Sequence, residues 1–498
     1  MTHQFPHPPA RAGRHGGVRT GQFGGGAQSP ALLGQDVDQG VRVPQPDVHA
    51  RILSVGPPAP NPRIVRTGSG SGHPPFCSWG SQSENGHVTT SRTKPERGRN
   101  ALGPALELVH TGRAPTRAVL TTELGVTRAT AGAVAGELQT LGLITVDVRP
   151  GAAAGSQGRP SHRLTIADDG PVALAVQIHA DGFRVALVGL GGRIVATAPA
   201  CGEVHPDPAV ALAEAVAAGA ELLRETGRRC VGAGLAVPSA VTEPDGIALN
   251  PLHLRWPPGS PVREIFTRCL DEAGVPVTGF CGNDVNLAAL AEHRHGAGHG
   301  ARDLLCVATG HRGVGGALVL DGRLHTGSAG LALEVGHLTV DPAGRPCHCG
   351  SRGCLDVETD PMALLEAAGR EPGPDGSLLD QACALARSAG PGGGADETVR
   401  GATRSLIDRL ARGLAGLVNI LNPDRIVLGG LHRALLEADP GRLRAGVADH
   451  SLWGRSGSVS IVPGTLDHGS LVGAAELAWQ PVLDDPPGAL RARTPVGT

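Results

Sequence analysis

Between Ala101 and Ile166 apolar residues fall at helical spacing three times before the pattern turns to short extended runs. Ala101, Leu102, Ala105, Leu106, Leu108 and Val109 predict a first helix, ended by Thr111-Gly112. Thr116 is placed to cap a second, carrying Ala118, Val119, Leu120 and Leu124, and Gly125 supplies a tight turn. Thr127 then caps a third helix through Leu138, with Ala131, Val134, Leu138 and Leu141 on its buried face. From Gly142 the chain becomes extended, and Leu143 to Val148 with Arg163 to Ile166 reads as a hairpin. Three short helices followed by a hairpin is the plan of a winged helix-turn-helix.

Beyond it the period changes. Val172 to Val176, Val185 to Val188 and Arg193 to Val195 predict a strand meander, Pro208 to Thr226 a helix, and Cys230 to Pro238 a buried strand. A second cycle follows: Leu304 to Ala308, Gly315 to Leu320 with an Asp321-Gly322 turn, a helix over Glu397 to Leu421, and a strand over Arg425 to Gly430. Repeated sheet-then-helix units imply an α/β body in two lobes with a cleft between them. The expected organisation is 88–166 for the winged helix, 167–485 for the body and 486–498 as a disordered tail. Residues 1–87 hold 15 Gly and 12 Pro and sustain neither periodicity. They are expected to be disordered or a spurious upstream extension of a protein that begins near Val88.

Composition sharpens this division. The 498 residues contain no Tyr, 6 Phe and 4 Trp, so the core must be built from Ala, Val, Leu and Ile. The net charge of −2 excludes a uniformly basic nucleic-acid coat. Its distribution is uneven, however: residues 88–166 carry 10 basic and 5 acidic side chains, whereas residues 167–498 carry 27 and 37. A small basic module ahead of a large acidic one suits a DNA-binding head whose body is kept off the phosphates. With no run approaching about 20 uninterrupted apolar residues and no secretory leader, the protein is expected to be cytoplasmic, without a membrane partner.

In a winged helix the third helix enters the major groove, and its first turn offers Thr127, Arg128, Thr130 and Ala131. Arg128 is the one long donor there, able to chelate guanine O6 and N7. The Gly151 to Gly158 stretch ending in Arg159-Pro160 is the kind of flexible arm that puts an arginine into a narrow A·T minor groove. Ten cysteines are too sparse for a disulfide scaffold, but Cys347, Cys349 and Cys354 are clustered. With His337 of Glu334-Val335-Gly336-His337 they match a closed tetrahedral zinc site, leaving no position for a catalytic water. His348 is a rival ligand.

The segment Glu-x-Gly-His followed by Cys-x-Cys-Gly-x-x-Gly-Cys resembles the signature of the ROK family (repressors, open reading frames and sugar kinases), which binds structural zinc through that His and those three Cys. The likeness runs from about Leu102 to Leu477 and takes in Asn283-Asp284-Val285-Asn286, Asn422 to Gly430, and Gly473-Ala474-Ala475-Glu476. It implies an actin-like two-lobed ATPase fold, and the winged helix with its Gly-Arg-Pro linker is that of the repressor branch. It also implies that Asn283, Asp284, Glu334, His337 and Asp356 contact a sugar. At the last position the family usually has Glu, and Pro238-Ser239 replaces its usual Pro-Gly.

In the family's kinases the residue matching Asp284 is the catalytic base, while glycine-rich loops hold ATP. Here Gln177-Ile178-His179-Ala180-Asp181 stands for the first loop, Asp-x-Gly-Gly-Thr, and His311-Arg312-Gly313 for a Gly-Thr-Gly. Without those glycines backbone N–H groups cannot close around phosphate, so phosphoryl transfer loses its main source of charge stabilisation. The expectation is therefore a transcriptional regulator, not an enzyme: a carbohydrate-gene repressor with no catalytic residue and with zinc as its one cofactor. Its expected partners are double-stranded operator DNA and a sugar or sugar phosphate, and it is expected to form a homodimer or dimer of dimers. The alternative is an ATP-dependent, glucokinase-like sugar kinase with an appended DNA-binding domain.

Overall fold

A computed structural model describes residues 101–147, 162–199, 201–251, 254–310, 313–373, 376–452, 454–457 and 459–491. The segment 1–87, the Gly-Arg-Pro arm with Arg159, and His311-Arg312 lie outside the described residues. Three helices come first: α1 (Leu102–His110), α2 (Arg117–Leu124) and α3 (Arg128–Thr140). The Thr116 hydroxyl accepts the Val119 N–H at 3.3 Å, and that of Thr127 accepts the Thr130 N–H at 3.1 Å, so both expected caps form. Gly125, at φ 62°, makes the turn between α2 and α3. Strands β1 (Ile144–Asp147) and β2 (Arg163–Ile166) then pair antiparallel, Ile144 opposite Ile166.

The body contains two sheets of the same plan. In the first, β3 (Val172–His179) pairs antiparallel with β4 (Gly182–Gly189) and parallel with β7 (Cys230–Val237), which pairs parallel with β8 (Gly279–Asn283). Strands β5 (Ile194–Thr197) and β6 (Cys201–Gly202) lie against β4. Helices α4 (Pro208–Thr226) and α5 (Val262–Glu272) supply the apolar cover, with Leu212, Val216 and Phe266 fully buried against Leu174 and Leu235. The second sheet repeats the order: β9 (Asp303–Thr309) lies between antiparallel β10 (Val314–Leu320) and parallel β12 (Arg425–Gly429), with β11 (Arg323–Leu324) and β13 (Ser460–Pro463) at the edges. Around it pack α7 (Leu355–Glu358), α8 (Pro361–Ala367), α9 (Leu378–Ser388), α10 (Glu397–Leu421), α11 (Gly430–Ala438) and α12 (Pro440–His450). An antiparallel hairpin followed by parallel strands occurs in each lobe, as the doubled sequence pattern implies.

Two helices cross between the lobes. Helix α6 (Asp284–His295) leads from β8 toward β9, and α13 (Gly469–Asp484) returns from β13 to pack on β3 and β7. Their seam merges with the core of the three-helix unit: Leu106, Leu120, Leu138 and Leu143 belong to the same buried cluster as Leu287, Ala474 and Trp479. Trp479 donates its indole N–H to Val188 O at 3.1 Å, satisfying the polar edge of this buried ring. The segment expected as a disordered tail instead begins with a helix, α14 (Pro486–Arg491), anchored because Leu490 is buried in that shared core. Among the described residues no helix is long and apolar enough to cross a membrane.

Candidate functional site

Ala131 was expected both on the buried face of α3 and at its DNA-facing start, and the first excludes the second. It is 0 % exposed, one turn before Val134 and Ala135, so its methyl cannot reach a base edge. Arg128 and Thr127 remain exposed at the start of α3, while the Thr130 hydroxyl lies 2.9 Å from that of Thr127.

A cavity of about 420 Å³ lies where the two lobes meet, lined by Asn283, Asp284, Glu334, His337 and Asp356 together with Ser239, Asn250 and His348. The start of α6 shapes one wall. Asn283 caps this helix, its carbonyl oxygen accepting the N–H groups of Val285 and Asn286 at 2.9 and 3.0 Å, while its amide donates to Ser239 O at 3.1 Å. Asp284, half-buried at the first turn, has its pKa pushed up to about 7. Burial is the main cause, with the Glu334 carboxylate adding to it and the Val285 N–H opposing. Glu334 follows Leu333, a non-glycine residue at φ 69°, so the backbone is strained immediately before a cavity-lining carboxylate.

Asp356 is 7 % exposed, and its Oδ1 accepts the Val314 N–H at 2.6 Å. The shorter side chain thus fastens the loop that leads into β10, leaving Oδ2 toward the cavity at 3.6 Å from His348 Nδ1. The sequence singled out His348 as a rival ligand and said nothing of Asn250. Their places in the cavity depend on loop packing that has no periodic signature.

Beside this cavity His337, Cys347, Cys349 and Cys354 bring their ligand atoms within 4.8 Å of one another. The Cys349 and Cys354 sulfurs are 3.7 Å apart, and Cys347 Sγ is 3.7 Å from His337 Nδ1. A disulfide needs about 2.05 Å, whereas tetrahedral zinc with bonds of about 2.3 Å separates its sulfurs by about 3.8 Å. The donor set and spacing therefore fit zinc. Gly353, at φ 61°, allows the approach: a Cβ there would stand 1.5 Å from Asp341 O. Burial pushes the Cys354 thiol up to about 12, while the Ser351 backbone lowers that of Cys349. A dication would hold the set as thiolates. His348 Nδ1 lies 3.9 Å from Cys347 Sγ but belongs with His337, Cys347 and Asp356 in a second grouping, which lacks Cys349 and Cys354.

A second cavity, of about 300 Å³, opens on the other side of Asp284 and is lined by Gln177, Arg184, Thr309, Gly429, Gly430 and Asp467 among others. At its β3–β4 edge the chain turns in two residues, Ala180-Asp181, with His179 paired to Gly182 and only 8 % exposed.

Comparison with known proteins agrees with this architecture. The model of the ROK family matches residues 173–480. A glucokinase of Halalkalibacterium halodurans is 32 % identical over 213 residues, which is 40 % of this chain and 61 % of that protein. The DNA-binding transcriptional dual regulator NagC of Escherichia coli is 30 % identical over 219 residues, 42 % of this chain and 52 % of the regulator. The chain thus spans about half to three fifths of the length of these curated relatives. Among solved structures, a ROK family transcriptional regulator described as a homolog of the E. coli MLC protein superposes with a TM-score of 0.61 at 23 % identity, covering 79 % of this chain and 98 % of its own. A ROK family glucokinase from Streptomyces griseus, solved with glucose and AMPPNP, gives 0.51 at 24 % identity, covering 62 % and 99 %. These two establish the fold, an actin-like ATPase-type α/β body. With the family model matching most of the chain on top of that shared architecture, the protein belongs to the ROK family.

Proposed function

We propose that the protein is a DNA-binding transcriptional regulator, acting as a repressor of carbohydrate genes and controlled by a sugar or sugar phosphate in the cavity at the start of α6. The observation that carries this reading is the three-helix unit with its β1–β2 hairpin, whose α3 presents Thr127 and Arg128 to solvent and whose core is continuous with the sugar-type body. It is a winged helix-turn-helix, with α3 as the recognition helix and Arg159 in the arm that follows β1. The solved regulator covers 79 % of this chain where the glucokinase covers 62 %, which supports counting this unit with the regulators.

The kinase reading is disfavoured by the β3–β4 turn. Gln177 cannot bind a metal as a carboxylate does, and the side chain of His179 occupies a position where the family's kinases keep a glycine. Zinc on His337, Cys347, Cys349 and Cys354 is structural rather than catalytic: it fixes the loop bearing the sugar contacts Glu334 and His337, while Asn283 and Asp284 are held by the start of α6 and Asp356 by the Val314 N–H. A homodimer would read paired half-sites.

Selection from a random duplex library at moderate ionic strength is expected to enrich one sequence, with binding altered by glucose, N-acetylglucosamine or xylose, the sugars for which relatives are named. A coupled assay with ATP and the same sugars is expected to show no turnover. Robust phosphorylation, or no duplex preference, overturns the reading. On the selected duplex, Arg128→Ala is expected to cost about 1–3 kcal/mol and to relax one base preference, as measured by competition titration.

A further inference from the structure

Helix α6 begins at the sugar cavity and ends against the three-helix head. Its first turn carries Asn283 and Asp284, and its last carries Arg294 and His295, about 18 Å away. At that far end stands Glu476 of α13, 0 % exposed. His110, the last residue of α1, places Nε2 2.9 Å from Glu476 Oε2, Arg294 donates to the same oxygen at 2.6 Å, and His295 Nε2 lies 2.9 Å from Oε1. Arg294 also donates to Gln480 at 2.8 Å. The N–H of Gly191 reaches His110 Nδ1 at 2.9 Å, which makes Nδ1 an acceptor and leaves Nε2 to donate its proton to Glu476. One carboxylate therefore joins head, α6 and α13, and it does so without exposed surface.

We infer that Glu476 is the coupling element between sugar and DNA: it locks the head onto the end of the helix whose other end contacts the sugar. The inference rests on the regulator reading above. A fully buried carboxylate has no water to replace a lost donor, so displacement of α6 along its axis must either carry α1 with it or leave a charge unpaired. That restricts the joint to a few discrete arrangements, the property a two-state coupling needs. Packing restricts it further, because a Cβ on Gly192 would stand 2.7 Å from the His295 ring. A metal between the two histidines and Glu476 is disfavoured, since the Arg294 guanidinium already neutralises the carboxylate.

The test is hydrogen–deuterium exchange on the full chain, with Glu476→Gln and, separately, His110→Gln, which gives up the rigid ring that bridges the Gly191 N–H and the Glu476 carboxylate. Without any ligand, both variants are expected to exchange the α1 amides about tenfold faster than the parent protein, with β9 unchanged. With glucose, N-acetylglucosamine or xylose, whichever raises the melting temperature, the parent is expected to change its α1 exchange. In His110→Gln the change should persist at the end of α6 and vanish in α1, and in either variant the sugar should no longer alter duplex affinity. Unaltered basal exchange of α1, or a folded variant whose α1 responds to sugar as the parent does, overturns the inference. A parent protein that binds neither sugar nor duplex instead refutes the regulator reading, and the basal exchange rates still decide whether Glu476 clamps the head.

Discussion

The carboxyl of Asp284 illustrates how one residue reports on the cavity around it. With its pKa pushed from the ordinary 3.8 to about 7, the folded protein holds a proton that the unfolded chain has released between about pH 4 and about pH 7. The stability this group contributes is therefore complete below about pH 4 and is lost as pH rises through about 7. The full difference corresponds to about 4 kcal/mol, and contact with cleft water reduces it. Asp284→Asn is expected to flatten that slope, as read from urea melts at pH 5 and pH 8; an unchanged slope would place the titration elsewhere. The zinc ligands make a second residue-level case. Cys349→Ser is expected to lower bound zinc from about one equivalent toward none in metal analysis and to loosen the loop bearing Glu334. Stoichiometric zinc in that variant would mean the ligand set is wrong.

At the scale of elements, the caps, turns and periods of α1 to α3 were legible because each is a local matter: Thr116, Gly125 and Thr127 act within four residues of themselves. So was α10, whose expected limits coincide with those observed, Glu397 and Leu421. Ala131 shows the limit of that legibility. A helical wheel places a residue on a face, but only packing decides whether the start of that face is already covered. Helix α3 also carries Gly132 and Gly136, and its stability comes from burying Val134, Ala135 and Leu138 rather than from propensity. A Cβ at Gly136 would meet nothing within 4 Å. Gly136→Ala is therefore expected to stabilise the head by about 0.5–1 kcal/mol, seen as a higher melting temperature.

For the whole molecule, what escaped the sequence is the joint between head and body. His110 and Glu476 are 366 positions apart, and Gly473 to Glu476 could be read as a motif without any sign that its glutamate would meet a helix of the head. Such a contact follows from topology: α13 must return across the seam before its acid can face α1. The same seam gives the strongest contrast with Gly136. Gly103 lies in the first turn of α1, where a Cβ would stand 2.4 Å from Leu483 O and 2.9 Å from Asp484 O. Both obstacles are backbone at the end of α13, so neither can swing aside as a long side chain would. The gain of about 1 kcal/mol from replacing a helical glycine is then outweighed by overpacking of about 1–3 kcal/mol. Gly103→Ala is expected to lower the melting temperature and to speed amide exchange throughout α1, whereas Gly136→Ala raises the one without speeding the other. Chemically the same added methyl thus acts with opposite sign at two sites in one small unit, and a stabilising Gly103→Ala would mean that α1 does not rest on α13.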